Sequence, residues 1–187
     1  MAWTIPGTVL SHSGDNQSIE DTLRSMFLGG GIVLSQVAAV TGLEPYTVQN
    51  WVKRGFLPNP EKKKYSLRQF CRILNINMLK SALPMEEICG LLRFVNGNLS
   101  DESDDLIDDS DLYFLFVKLA SHHRQMQNPQ GRDVCLDQLL ATYEEPIPGA
   151  RERVKKVLQI MLTAWAASLL RQQVEEMVLS LKAPENS

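Results

Sequence analysis

Residues 34–58, LSQVAAVTGLEPYTVQNWVKRGFLP, constrain the fold more than any other part of the chain. They hold two short segments with apolar residues at helical spacing, each closed by a glycine. Ser35 reads as the N-cap of the first, Val37, Ala38 and Val40 as its apolar side, and Gly42 as its stop. Pro45 suits the first turn of the second, and Gly55 ends it. Two short helices about a Gly-containing turn predict helix-turn-helix geometry.

The flanks extend this reading. Ser18, with Asp21 three positions on, predicts a helix carrying Leu23, Met26 and Phe27, stopped by Gly29-Gly30-Gly31. In FLPNPEKKKYSL two prolines forbid a helix. Leu57 and Tyr65 flank a polar tip, which predicts a small two-stranded wing. SLRQFCRILNINMLKSAL returns to helical spacing, and PMEEICGLLRFVNG is a further short helix. Residues 1–17 read as irregular and loose.

Composition changes sharply at Ser100–Asp111, where seven of 12 residues are acidic and none is basic. This predicts an exposed linker, its last carboxylates stabilising the start of the next helix through the helix dipole. A calcium loop needs glycine at its sixth position; counted from Asp101, that residue is Leu106. Helices are then expected at about 112–126, 132–143 and 150–181. The last is apolar on nearly all faces between Val157 and Leu170, as befits the centre of a bundle or a dimer seam. The class is mainly α: an N-terminal winged helix-turn-helix over 18–99, the acidic linker 100–111, and an α-helical dimerisation or effector bundle over 112–187.

Charge is distributed unevenly. Between Ile32 and Lys80 stand eight basic residues (Lys53, Arg54, Lys62, Lys63, Lys64, Arg68, Arg72 and Lys80) against Glu44 and Glu61, a net of +6. The whole chain carries −3, so the remainder holds −9. A basic end of this kind is directed at a polyanion.

On the second helix of the pair, Val48, Trp51 and Val52 fall at i, i+3 and i+4 and form the inward stripe. Tyr46, Gln49, Asn50 and Lys53 share another face. Amides can bond the adenine edge and cations reach guanine or phosphate. Thr47, at the helix start, could bond a backbone phosphate. Arg54 and the lysines Lys62, Lys63 and Lys64 suit flanking phosphates. The expected partner is double-stranded DNA.

The same residues carry a family likeness. Val33–Leu92 resembles the DNA-binding domain of MerR-type regulators, through LSQVAAVTGLEPYTVQNWVKRGFLP, a short wing, KYSLRQF opening a helix, and LKSALPMEEICGLL. The resemblance implies a winged helix-turn-helix transcription regulator, dimeric through its helical half and reading a two-fold site. A closer likeness, covering most of the chain beyond residue 17, is to an uncharacterised bacterial family sharing the NWVKRG core and a helical C-terminal half; it brings no activity. The chain departs from MerR regulators at Gln49, typically Arg there, and at Asn50, typically aromatic. It also lacks the effector cysteines of their metal sensors.

Other chemistry has less to stand on. Cys71, Cys89 and Cys135 are sparse and odd in number, which argues for a reducing compartment and small core roles. His122 and His123 point about 100° apart on a helix, a poor chelate, and read as a surface pair. No phosphate loop, nucleophile elbow or paired catalytic carboxylates stand in context, so neither an enzyme nor a cofactor is expected. The aromatic run Tyr113–Val117 and Trp165 reads as packing ahead of a small-molecule effector pocket. Residues 1–17 hold no basic n-region before an apolar run, so a secretory signal is not expected, and the 14 residues of Val157–Leu170 fall short of the roughly 20 a membrane span needs. The cytoplasm is the expected compartment. The alternative function is a protein–protein adaptor that uses the helical half, with a helix-turn-helix that binds no DNA.

Overall fold

A computed structural model describes residues 3–12, 18–99, 101–123 and 129–182. Its spine is the helix opened by KYSLRQF. Ser66 and Gln69 close a capping box there: Ser66 Oγ accepts from the Gln69 amide at 3.2 Å, and Gln69 Oε1 accepts from the Ser66 amide at 3.0 Å. Every residue from Phe70 to Ile76 is buried, so this helix is covered on all sides.

In chain order the elements are β1 (Trp3–Thr4), β2 (Ser11–His12), α1 (Ile19–Ser25), β3 (Ile32–Val33), α2 (Leu34–Thr41), α3 (Pro45–Lys53), β4 (Lys64–Tyr65), α4 (Leu67–Leu79), α5 (Met85–Asn96), a 3-10 turn (Glu102–Asp104), α6 (Asp109–His123), α7 (Pro129–Leu139) and α8 (Ala150–Lys182). The chain is mainly α. The spine, α4, packs on α2, α5, α6 and α8, most extensively on α6. One apolar core runs through Ile5, Val48, Phe70, Leu92, Phe116 and Leu158. The division at the acidic stretch expected from composition therefore does not divide the packing.

Local chemistry explains most helix ends. Ser18 Oγ accepts from the Asp21 amide at 3.0 Å and starts α1. Gly42 ends α2 in the left-handed region at φ 69°. Ser35 is not the N-cap of α2; it lies inside the first turn. The helix starts after Val33, whose amide donates to Gln36 Oε1 at 3.0 Å.

Residues 3–12 correct the expectation of a loose terminus. Strands β1 and β2 pair antiparallel, Trp3 with His12 and Thr4 with Ser11. Ile5 is buried in the core. Tyr113 Oη donates to Pro6 O at 2.8 Å, and Asn77 Nδ2 donates to Gly7 O at 2.8 Å. These contacts reach across the sequence to α6 and α4, and a ten-residue stretch with one large buried aliphatic side chain gives no periodic sign of them. Residues 1, 2 and 13–17 lie outside the described residues.

The acidic stretch is likewise not an exposed linker. Leu106 and Ile107 are buried. The Leu106 amide donates to Val95 O at 2.7 Å, and Asn96 Nδ2 donates to Ile107 O. Asp104 accepts from the Asn98 amide beyond α5 at 3.1 Å. Asp108 Oδ1 accepts from the Ser110 amide at 2.7 Å at the start of α6, the dipole-matched placement expected of it. The expected helices at 112–126 and 132–143 are α6 and α7, each starting three residues earlier; residues 124–126 lie outside the described residues.

Candidate nucleic-acid interface

Helix α3 is held as its apolar spacing requires. Val48 and Trp51 are buried and Val52 is partly buried against the core. Pro45 occupies the first turn, after which the Thr47 amide donates to Glu44 O at 2.8 Å. The stripe turns the other face outward. Tyr46 is 74% exposed, and Gln49 and Lys53 are exposed. Asn50 and Thr47 are half-buried. The C-terminal helices leave this face open.

The wing differs from the expected one in its partner. Leu57 is buried outside any strand. Strand β4 instead pairs antiparallel with β3, Ile32 with Tyr65 and Val33 with Lys64, so the segment before α2 supplies the second strand. Gly31 permits this at φ 108°, where a Cβ would stand 2.9 Å from Tyr65 O. The tip is a two-residue turn bridged by Glu61 and Lys64, whose amide donates to Glu61 O at 2.8 Å. Lys62 and Lys63 both have positive φ, 47° and 64°. Asn-Gly is the usual pair in such a turn, and lysine is unfavourable there. Turn geometry therefore does not explain two lysines; their exposed charge is the property they add.

The cations divide into two groups. Arg54 is 3.3 Å from Glu86 and stacks over Phe56, its carbon Cζ 4.5 Å from the ring centroid. Arg68 bonds Asp105 and lies 3.5 Å from Asp108. Arg72 lies 3.2 Å from Asp109, with both side chains buried. Lys64 Nζ donates to Gly29 O at 3.2 Å. Among the described residues, Lys53, Lys62 and Lys63 form no ion pair. The basic excess of residues 32–80 is thus partly neutralised by the acidic stretch, and Arg54 is not a free phosphate contact.

Asp105, Asp109, Arg68 and Arg72 went unread as a unit in the sequence, although i, i+4 spacing on both sides was a usable signal. Burial raises the carboxyl of Asp105 to about 6, against the pull of Arg68. Among the described residues, its buried Oδ1 has no hydrogen-bond partner. Burial also raises the Asp109 carboxyl, which Arg72 partly offsets.

Elsewhere, Tyr113, Phe114, Phe116 and Val117 are core residues, and Phe116 meets Trp165 edge-on with ring centroids 5.9 Å apart. The three cysteines are free and buried, and burial raises each thiol. The exposed His122 contacts Lys118 O through Nδ1 at 2.6 Å. Among the described residues, no helix is long and apolar enough to cross a membrane.

Residues 32–116 match the model of a family described as a domain of unknown function, DUF1836. The match runs from β3 through the acidic stretch into α6, and so contains both halves of the Arg72–Asp109 pair. An uncharacterized protein of Bacillus subtilis (strain 168), YkrK, is 34% identical over 99 residues, which span 50% of this chain and 42% of that protein. The chain thus matches less than half of this curated relative's length. Both findings agree with the likeness to an uncharacterised bacterial family. No solved structure matches the chain.

Proposed function

We propose that this chain is a sequence-specific DNA-binding regulator of transcription, of MerR-like winged helix-turn-helix type, in which α3 enters the major groove of double-stranded DNA. The observation that carries the reading is the division of α3. Val48 and Trp51 fix it on the core, while Tyr46, Gln49 and Lys53 stand free on the outside. Gln49 reads base edges and Asn50 flanks it, within reach of base or phosphate. Lys53, Lys62 and Lys63 neutralise phosphates; Thr47 bonds the backbone at the helix start. Arg54 and Lys64 brace the surface through Glu86, Phe56 and Gly29, and Arg68 and Arg72 hold the fold.

The adaptor reading requires the outward face of α3 to be covered or unused, and the exposure of Tyr46, Gln49 and Lys53 favours the DNA reading over it. Capture of genomic fragments by the purified protein at low salt tests the proposal. Enrichment of a shared sequence is the expected result, and recovery of no DNA overturns it.

A further inference from the structure

The last turns of α8 extend past the core. No residue from Leu169 to Leu181 is buried, although seven of them are Leu, Val or Met. Among the described residues, the last side-chain ties to the body are Ser168 to Ser81 Oγ at 2.7 Å and Arg171 to Ser81 O at 3.3 Å. Isolated helical segments this short are marginal in water and gain their stability from packing on an apolar face.

Such a face is present. Ile160, Thr163, Ala167, Leu170, Val174, Met177 and Leu181 follow one another at alternating spacings of three and four. All seven are exposed, Leu170, Val174 and Met177 at 64%, 58% and 68%. At about 100° per residue they form one stripe, on the side of α8 opposite the buried Val154, Leu158, Met161 and Trp165. The described body of the same chain therefore packs on the other side of α8 from it. The stripe is about 32 Å long and about 10 Å wide, a patch of about 320 Å², the size of the largest apolar patch on a typical monomer, which is often functional. Leu169 and Leu179 fall outside it.

We infer that this stripe is a two-stranded coiled-coil seam whose occupant is the same stripe of a second copy of this chain, running parallel and in register. Three features choose that occupant. The seven positions hold no charge, so a basic or acidic helix finds no counterpart on them, whereas the stripe itself does. In heptad terms Ile160, Ala167, Val174 and Leu181 take a positions and Thr163, Leu170 and Met177 d positions; of these, β-branched Ile160 and Val174 at a with Leu170 at d are the residues that favour two parallel strands. Small Ala167 lets the backbones approach between them. The flanking positions agree: in parallel register Ala166 meets Arg171 of the second copy and Gln173 meets its Val178, with no like charges opposed. An antiparallel pairing centred on Gln172 would bring the two Arg171 side chains together. From Leu170 to Leu181 the seam projects past the ties of the body, so two copies can approach along it; nearer Ile160, α7 stands beside the seam through Gln159 Nε2, which donates to Asp133 Oδ1 at 2.8 Å.

This deepens the dimeric part of the proposed function by naming its surface, and its test uses no DNA. Light scattering on the full chain should give twice the monomer mass. The double substitution Leu170→Glu and Val174→Glu should halve it, with loss of helix by circular dichroism confined to the overhanging turns of α8 and the thermal unfolding of the body unchanged, because both positions are exposed. Separately, Val174→Cys should form a disulfide-linked dimer under mild oxidation, the native cysteines being buried. A wild-type monomer, or a dimer that survives the double substitution, overturns the seam. A dimer that is lost on double substitution, while the Val174→Cys variant fails to cross-link, overturns the parallel register. None of these outcomes bears on DNA capture, so the two readings fail separately.

Discussion

Arg72 Nη1 lies 3.2 Å from Asp109 Oδ2, and this pair joins the spine of the fold to the end of the acidic stretch. Arg72 also donates through Nε to Phe56 O at 3.0 Å, just beyond α3. One guanidinium thus ties the chain behind the candidate reading helix to α4 and α6. Two observations of the sequence, a basic segment and an acidic one, become a single buried contact.

Removing one partner leaves a buried charge uncompensated. Asp109→Ala should destabilise the chain by about 3–5 kcal/mol, whereas the paired change Arg72→Met with Asp109→Leu should recover most of that loss. Urea denaturation followed by circular dichroism measures both.

Asp105 titrates in the opposite sense from a well-paired carboxylate. Its folded-state pKa of about 6 lies above its unfolded value, so between the two the folded chain holds more protons. Its contribution to stability is therefore gained as pH falls from about 6 toward 4 and lost as pH rises through that window. Asp105→Asn removes this titration. The melting temperature of the variant relative to wild type should rise between pH 4.5 and about 7; a difference that stays flat contradicts the assignment.

The N-terminal hairpin is held partly by Tyr113 Oη on Pro6 O. Tyr113→Phe leaves that carbonyl without its donor and should cost about 1–3 kcal/mol. Amide exchange around Ile5–Leu10 should quicken more than exchange in α6.

Much of this fold was legible because its helices are capped locally. Ser18 with Asp21, and Gly42 and Gly55, mark ends that agree with the structure to within a few residues. The inward stripe of α3 was legible for the same reason: Val48 and Trp51 repeat at the period of the element that holds them. What escaped is non-local. The hairpin at 3–12 depends on Tyr113 and Asn77, and β4 takes its partner from before α2. The acidic stretch looked solvated by composition, yet Leu106 and Ile107 and the ion pairs to α4 draw it into the core. The inward and outward faces of α3 were accordingly legible from period alone, whereas the pairing of the cations was not, since a charge count does not reveal which charges face each other.

In the proposed function Lys53, Lys62 and Lys63, together with Gln49, form a DNA-reading surface. The most direct measurement is the affinity for a captured fragment as a function of salt, for wild type and for the triple substitution Lys53→Ala, Lys62→Ala and Lys63→Ala. Each phosphate contact contributes about 0.9 to the slope of log affinity against log salt, so the triple variant should lose about 2.7 from it on every sequence. Gln49→Ala should keep the slope and lose about 1–3 kcal/mol of preference for the captured sequence. A wild-type slope near zero, or one that the triple substitution leaves unchanged, would contradict the account.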